Sequence, residues 1–128
     1  MNPIEDKIDM LDIAADFSQT PGGRYKRHGD FSGELFREKL LAPRLRDAVS
    51  NGRVLLVRID TVNRSYQSSF LDETFGGLVR DEGFTAEEIR DHLMIVSEAP
   101  RFQKYLRAAQ TYIKEAVEEV LAPKAALH

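Results

Sequence analysis

Apolar residues change spacing several times along the chain, and the changes mark out elements. Ile8, Met10, Leu11, Ile13 and Phe17 form a short run of mixed period that predicts a strand over 9–16. Val54-Leu55-Leu56-Val57-Arg58-Ile59 is almost continuously apolar, which predicts a central strand covered on both faces. Leu93-Met94-Ile95-Val96 predicts a third strand. Helical spacing fills the intervals. Ser32 is a good N-cap with Glu34 in the first turn, and Phe36, Leu40, Leu41, Leu45 and Val49 then recur on one face until Asn51-Gly52 ends the element. Pro43 lacks an amide donor, so a kink or restart is expected there. Leu71, Phe75, Leu78 and Val79 define a helix entered through Ser68 and Ser69. Thr85 and Glu88 have capping-box spacing for a short helix over 86–92. After Pro100, a stripe from Phe102 to Leu121 predicts a long amphipathic helix stopped by Pro123.

Strands alternating with helices predict an α/β fold: one small domain over 1–128, with a core over 9–121, flexible termini, and helices packed on a mixed or mostly parallel sheet. Between the first strand and the first long helix lies SQTPGGRYKRHGD, a run of turn formers and basic groups. Its length inside a compact domain suggests a functional or mobile loop.

Composition narrows the function. The chain has 128 residues, 42% hydrophobic and 30% charged, and no cysteine. The missing thiols exclude a disulfide scaffold, a cysteine nucleophile, an iron–sulfur cluster and a thiolate zinc site, and they suit a reducing compartment. The chain shows no apolar run approaching the ~18 residues of a membrane span. The opening MNPIEDKIDM does not read as a secretory leader, so a cytoplasmic protein is expected. The net charge of −3 is unevenly spread. Residues 22–46 are rich in arginine and lysine and residues 72–91 in aspartate and glutamate. These stretches are either two solvated faces or attractors for an anion and for a cationic surface.

Three segments carry candidate chemistry. In Pro21-Gly22-Gly23-Arg24 the glycines can turn backbone amides toward an anion and Arg24 adds a fork of donors, although the same residues also make a plain tight turn. Arg37 is either the partner of Glu34 three residues earlier or a further anion ligand at the end of the sheet. Asp60 is delivered to the carboxyl edge, where open α/β sheets bind ligands, and Asp72 and Glu73 follow on the next helix. Ser68 and Ser69 at that helix start are either caps or modification sites, since a phosphate there meets free amides. Gly76-Gly77 inside the helix predicts a close approach of its backbone to the sheet.

PGGRY, SGELFREKLLAP and SSFLDETFGGLVR, in that order, resemble the pattern of the STAS-like family of unknown function over about residues 9–96. The resemblance implies a STAS-like arrangement. In the STAS domains of anti-anti-sigma factors an Asp-Ser-Ser-Gly segment opens a helix, and a serine in it is phosphorylated by a GHKL-type ATPase. Here Gln67 stands in the aspartate position, Ser68 matches the phospho-acceptor, Ser69 matches the second serine, and Phe70 replaces the glycine. The expected function is a non-catalytic regulatory module that binds a protein partner around Ser68 and Ser69, and the resemblance implies a GHKL-type ATPase as the class of partner. The alternative is a small anion- or nucleotide-binding domain using Gly22, Gly23, Arg24 and Arg37. No cofactor and no metal are expected. An enzyme built on Glu34, Asp60, Asp72 or Glu73 lacks a paired spacing, and His28, His92 and His128 are scattered. Tyr25, Lys26 and Arg27 make a basic-aromatic patch, but the negative net charge argues against nucleic acid.

Overall fold

The computed structural model describes residues 7–63 and 65–122. Pro123, His128 and the outermost terminal residues, where flexibility was expected, lie outside them. Three strands, β1 (Ile8–Asp12), β2 (Val54–Arg58) and β3 (Leu93–Val96), form an all-parallel sheet in the order β1-β2-β3. Ile8 lies opposite Val54, and Met10, Leu56 and Met94 stand in one row across the sheet. The helices are α1 (Ile13–Asp16), α2 (33–51), α3 (68–80), α4 (Ala86–His92) and α5 (Gln103–Leu121). The architecture is α/β, as the alternation of elements predicts, and β2 is central.

The first strand is shorter than its apolar run. The Asp12 carboxylate accepts the Ala15 amide at 3.2 Å and starts α1, so residues 13–16 are helical and Ile13 is buried from a helix. The central strand is not covered on both faces. Leu55, Val57 and Ile59 are fully buried, but across the pleat Val54 and Leu56 are only half-buried, and Met10 and Met94 are more than half exposed. The cause is topology. Parallel strands joined in sequential order by right-handed crossovers carry every crossover on the same face. In that layer α2 and α4 pack on β2, α3 packs beside α2, and α5 lies against α3, with Leu11, Leu55 and Val57 in the shared core.

Two helices contain a wide, π-type turn: α2 at Arg37–Leu41 and α3 at Asp72–Gly76. In α2 the wide turn stands just before Pro43, and the regular helix resumes at Ala42–Asn51, which is the restart that proline predicts. Gly52 closes it in the left-handed region, φ 65°. Ser32 caps α2 by accepting the Leu35 amide at 3.1 Å, and Thr85 and Glu88 form the expected reciprocal box at α4. Phe36 and Phe70 stack where α2 meets α3, with ring centres 6.3 Å apart. Gly33 allows this approach: a β-carbon there would lie 2.6 Å from the Phe70 carbonyl oxygen. In α5, Ala109 and Ala116 are buried and Tyr105, Leu106, Tyr112, Ile113 and Val117 partly so, while Val120 and Leu121 are exposed.

Two substitutions separate the cap from the crossing. Ser32→Ala should cost ~0.5–2 kcal/mol in urea unfolding. Gly33→Ala should cost about 1–3 kcal/mol by overpacking, despite alanine's better helix propensity. A Gly33→Ala protein as stable as the parent would contradict the close contact of α2 with α3.

Candidate functional site

The oppositely charged stretches of the sequence meet across the α2–α3 interface and neutralise each other. Arg37, at the start of the wide turn of α2, has a side chain only 4% exposed. Its Nη1 donates to Glu73 Oε2 at 2.6 Å and to the Glu73 carbonyl at 2.7 Å, and its Nε donates to Glu82 Oε2 at 3.0 Å. Arg46 holds the other oxygen of Glu82 at 2.7 Å. From the far side, Arg24 donates to Asp72 at 3.0 Å and to Glu73 at 3.4 Å. Arg80 completes the chain on Asp72 Oδ1 at 3.0 Å and on the Asp72 carbonyl at 3.1 Å. Arginine and carboxylate therefore alternate from Arg46 through Glu82, Arg37, Glu73, Arg24 and Asp72 to Arg80.

Local structure explains why these partners are available. The wide turn of α3 lets the Asp72 carbonyl accept from Gly77, five residues on, and it leaves the Asp72 and Glu73 carbonyls reachable by Arg80 and Arg37. Gly76 and Gly77 make room for those side chains. A β-carbon on Gly77 would overlap Arg37 Nη1, and one on Gly76 would lie 2.6 Å from Arg80 Nη1. The glycine pair therefore accommodates two guanidinium groups, not the sheet. Burial opposes the Arg37 charge, and the hydrogen bonds from Glu73 and Glu82 outweigh it, so the guanidinium is held more firmly protonated than usual. Burial likewise pushes the Glu82 carboxyl up, but Arg46 and Arg37 outweigh it and hold it below the ordinary range.

This arrangement revises several sequence expectations. Arg37 does not pair with Glu34, whose carboxylate instead accepts the Lys26 amide at 2.9 Å; with Arg24, Asp72, Glu73 and Arg80 it lines an open cleft of about 550 Å³, where its donors are taken by Glu73 and Glu82. The amides of Gly22 and Gly23 are used within the protein, by the Phe31 carbonyl at 3.0 Å and by Gln67 Oε1 at 2.8 Å. Asp60 does reach the carboxyl edge of the sheet, but its Oδ2 accepts the Glu98 and Ala99 amides at 2.7 and 3.2 Å and its Oδ1 accepts from Arg58. Burial would raise its pKa, yet these donors lower it, so Asp60 shapes the β3–α5 turn. The strand order does not reverse, so the sheet lacks the crevice at a switch point where open α/β sheets take ligands.

Ser68 and Ser69 are not caps. Gln67 holds the N-cap position of α3 without a side-chain cap bond, and the spacing of Ser69 to Asp72 forms no capping box. Ser68 is exposed and Ser69 half-buried. The bond from the Gly23 amide to Gln67 brings the Pro21-Gly22-Gly23-Arg24 loop against this uncapped helix start. Between them lies a shallow cleft of about 660 Å³, lined by Gly22, Gly23, Arg24, Tyr25, His28, Gln67 and Ser69. The structure thus joins two of the sequence candidates and removes Asp60, Arg37 and Glu73 from the solvent-facing set. Tyr25, His28 and Gln67 escaped the sequence reading as cleft residues. Only the position of Gln67 within the serine motif hinted at its place. Arg27 stacks over the Tyr25 ring at 4.5 Å, and the His28 Nδ1 accepts the Tyr25 amide at 3.3 Å, which orders this rim. Among the described residues no three His, Asp or Glu side chains are placed to hold a metal ion, and no helix is long and apolar enough to cross a membrane.

A family model described as a STAS-like domain of unknown function matches residues 32–101, more than half of the chain. The match spans α2 through β3 and leaves β1 and the glycine loop outside it. No curated protein and no solved structure matches the chain.

Arg37→Met should strand Glu73 without its buried counter-charge and cost about 3–5 kcal/mol, whereas Arg46→Ala, at the exposed end of the network, should cost no more than ~1 kcal/mol. Chemical denaturation of both variants checks the contrast. The stability contributed by Glu82 is complete above its ordinary value of 4.5 and is lost as pH falls through its lower folded value. Glu82→Gln should therefore be less stable than the parent at pH 7, and that deficit should shrink as the pH is lowered below 4.5.

Proposed function

The chain belongs to the STAS-like family, and we propose that within it this protein is a non-catalytic regulatory module that binds a protein partner. The partner docks over the first turn of α3 and the adjoining glycine-loop cleft. One observation carries this reading: Ser68 presents an exposed hydroxyl at an uncapped helix start, where the fold makes no use of it. A serine without a structural duty, beside free amides and the positive end of a helix, is suited to receive a phosphate or a partner's acceptor group. The resemblance to anti-anti-sigma STAS domains supports a GHKL-type ATPase as the partner class, acting on Ser68 or Ser69. The alternative, an anion- or nucleotide-binding domain, has less support, because the Gly22 and Gly23 amides are occupied and Arg24 is paired with Asp72 and Glu73. The carboxylates of an enzyme reading, Glu34, Asp60, Asp72 and Glu73, are engaged by arginines or amides.

Because Ser68 caps nothing, Ser68→Ala and Ser68→Asp should both stay within about 0.5 kcal/mol of the parent, as surface changes usually do. Partner affinity should nevertheless differ between them, because one variant adds a charge at the docking surface. The measurement is thermal unfolding of both, followed by affinity purification from the native host and titration of the captured partner against each folded variant and the Ser69 pair. Equal affinity across parent and all four variants would exclude a regulatory role for these serines.

A further inference from the structure

Among the described residues, the sheet face opposite the helices is apolar and nothing covers it. Ile8, Met10 and Met94 are 36%, 53% and 52% exposed, and they surround Leu56 in the row running from Met10 through Leu56 to Met94. All-parallel sheets occur almost only with both faces covered, and the sequential strand order leaves none of this chain's crossovers to cover the second. The flank of the sheet is less suited to binding than the face, since Arg44 already donates to the Met10 carbonyl at 3.0 Å.

The dimensions select the occupant. Adjacent strands lie ~4.8 Å apart, so three span roughly 10 Å, the diameter of one α-helix. A strip of that width and five residues long presents on the order of a few hundred Å², short of the ~800 Å² per partner usual in a stable dimer. Two methionines flanking a leucine give an adaptable surface of the kind that accepts amphipathic helices. Charge sets the polarity. Among the described residues at the carboxyl end of the three strands, Asp12, Asp60 and Glu98 outnumber Arg58, which bonds Asp60 at 3.2 Å and Glu98 at 3.3 Å. That acidic end favours the positive, N-terminal end of a helix and a basic residue beside it.

We infer that this face docks one amphipathic helix of a partner protein, laid antiparallel to the strands, with a leucine-type stripe on Met10, Leu56 and Met94 and a cationic first turn over Asp12 and Glu98. The surface is separate from Ser68 and the glycine-loop cleft and does not depend on the function proposed for them.

The test uses the full chain with ¹³C-methyl-labelled methionine and a helix-forming peptide. The peptide carries leucines at i, i+3 and i+4 spacing and two lysines in its first turn. The sequence has three methionines, and Met10→Leu and Met94→Leu variants assign the two signals of the face. The peptide should shift Met10 and Met94 saturably. Met94→Glu and Met10→Glu, at exposed positions that leave folding intact, should each weaken binding about tenfold or more. Replacing the peptide's lysines by glutamates should weaken it several-fold at low salt. Four results overturn the proposal. The first is equal binding of a peptide of the same composition with scrambled leucines. The second is no response of Met10 and Met94. The third is dependence of their signals on protein concentration without peptide, which assigns the face to a second copy of the chain. The fourth is shielding of both from a soluble paramagnetic probe in the free chain, which assigns it to another segment of the same chain.

Discussion

The buried contact between Arg37 and Glu73 is the constraint around which the rest of this protein is arranged. A guanidinium taken this far out of water is tolerated only with charge and hydrogen bonds supplied on several sides. Glu73 supplies a carboxylate oxygen and a backbone carbonyl, and Glu82 supplies a second carboxylate. Meeting that demand places Arg37 at the wide turn of α2, sets a wide turn in α3 that keeps the Glu73 carbonyl within reach, and requires Gly77 to carry no side chain. Gly33 then brings the two helix starts together over the Phe36–Phe70 stack.

The same network decides what remains for function. With Arg24, Arg37, Arg46 and Arg80 paired among Asp72, Glu73, Asp81 and Glu82, the most densely charged region of the molecule is internally neutral and serves as a scaffold. It extends to the glycine loop, because Arg24 is tied to α3 while Gly23 is tied to Gln67. The loop is thereby pinned beside the start of α3, and Ser68 and Ser69 stand on a framework whose position is set by buried ion pairs. Ser68 lies one helical turn before Asp72 and Ser69 one turn before Glu73.

The sheet adds a second asymmetry. Its helices occupy one face, and the other carries apolar side chains that water contacts directly. The reason lies in strand order, not in composition: the residues of β2 are apolar enough for burial on both sides, and the crossovers cover one.

Period and cap chemistry were legible from the sequence alone. The apolar run of β2, the stripe of α5, the Ser32 cap, the Thr85–Glu88 box and the terminating Gly52 depend on neighbours a few residues away, so local spacing determines them. The family pattern was legible for the same reason, as ordered short motifs. The partners of the charged and polar groups were not. Arg37 and Glu73 are separated by 36 residues and Gly23 and Gln67 by 44, and local spacing offered Glu34 and an anion in their place. The position of Ser68 and Ser69 suggested caps, but Gln67 occupies the cap position and its side chain receives the Gly23 amide. Strand length, the open sheet face and the purpose of Gly76-Gly77 likewise emerged only in three dimensions, because each depends on which element packs against which.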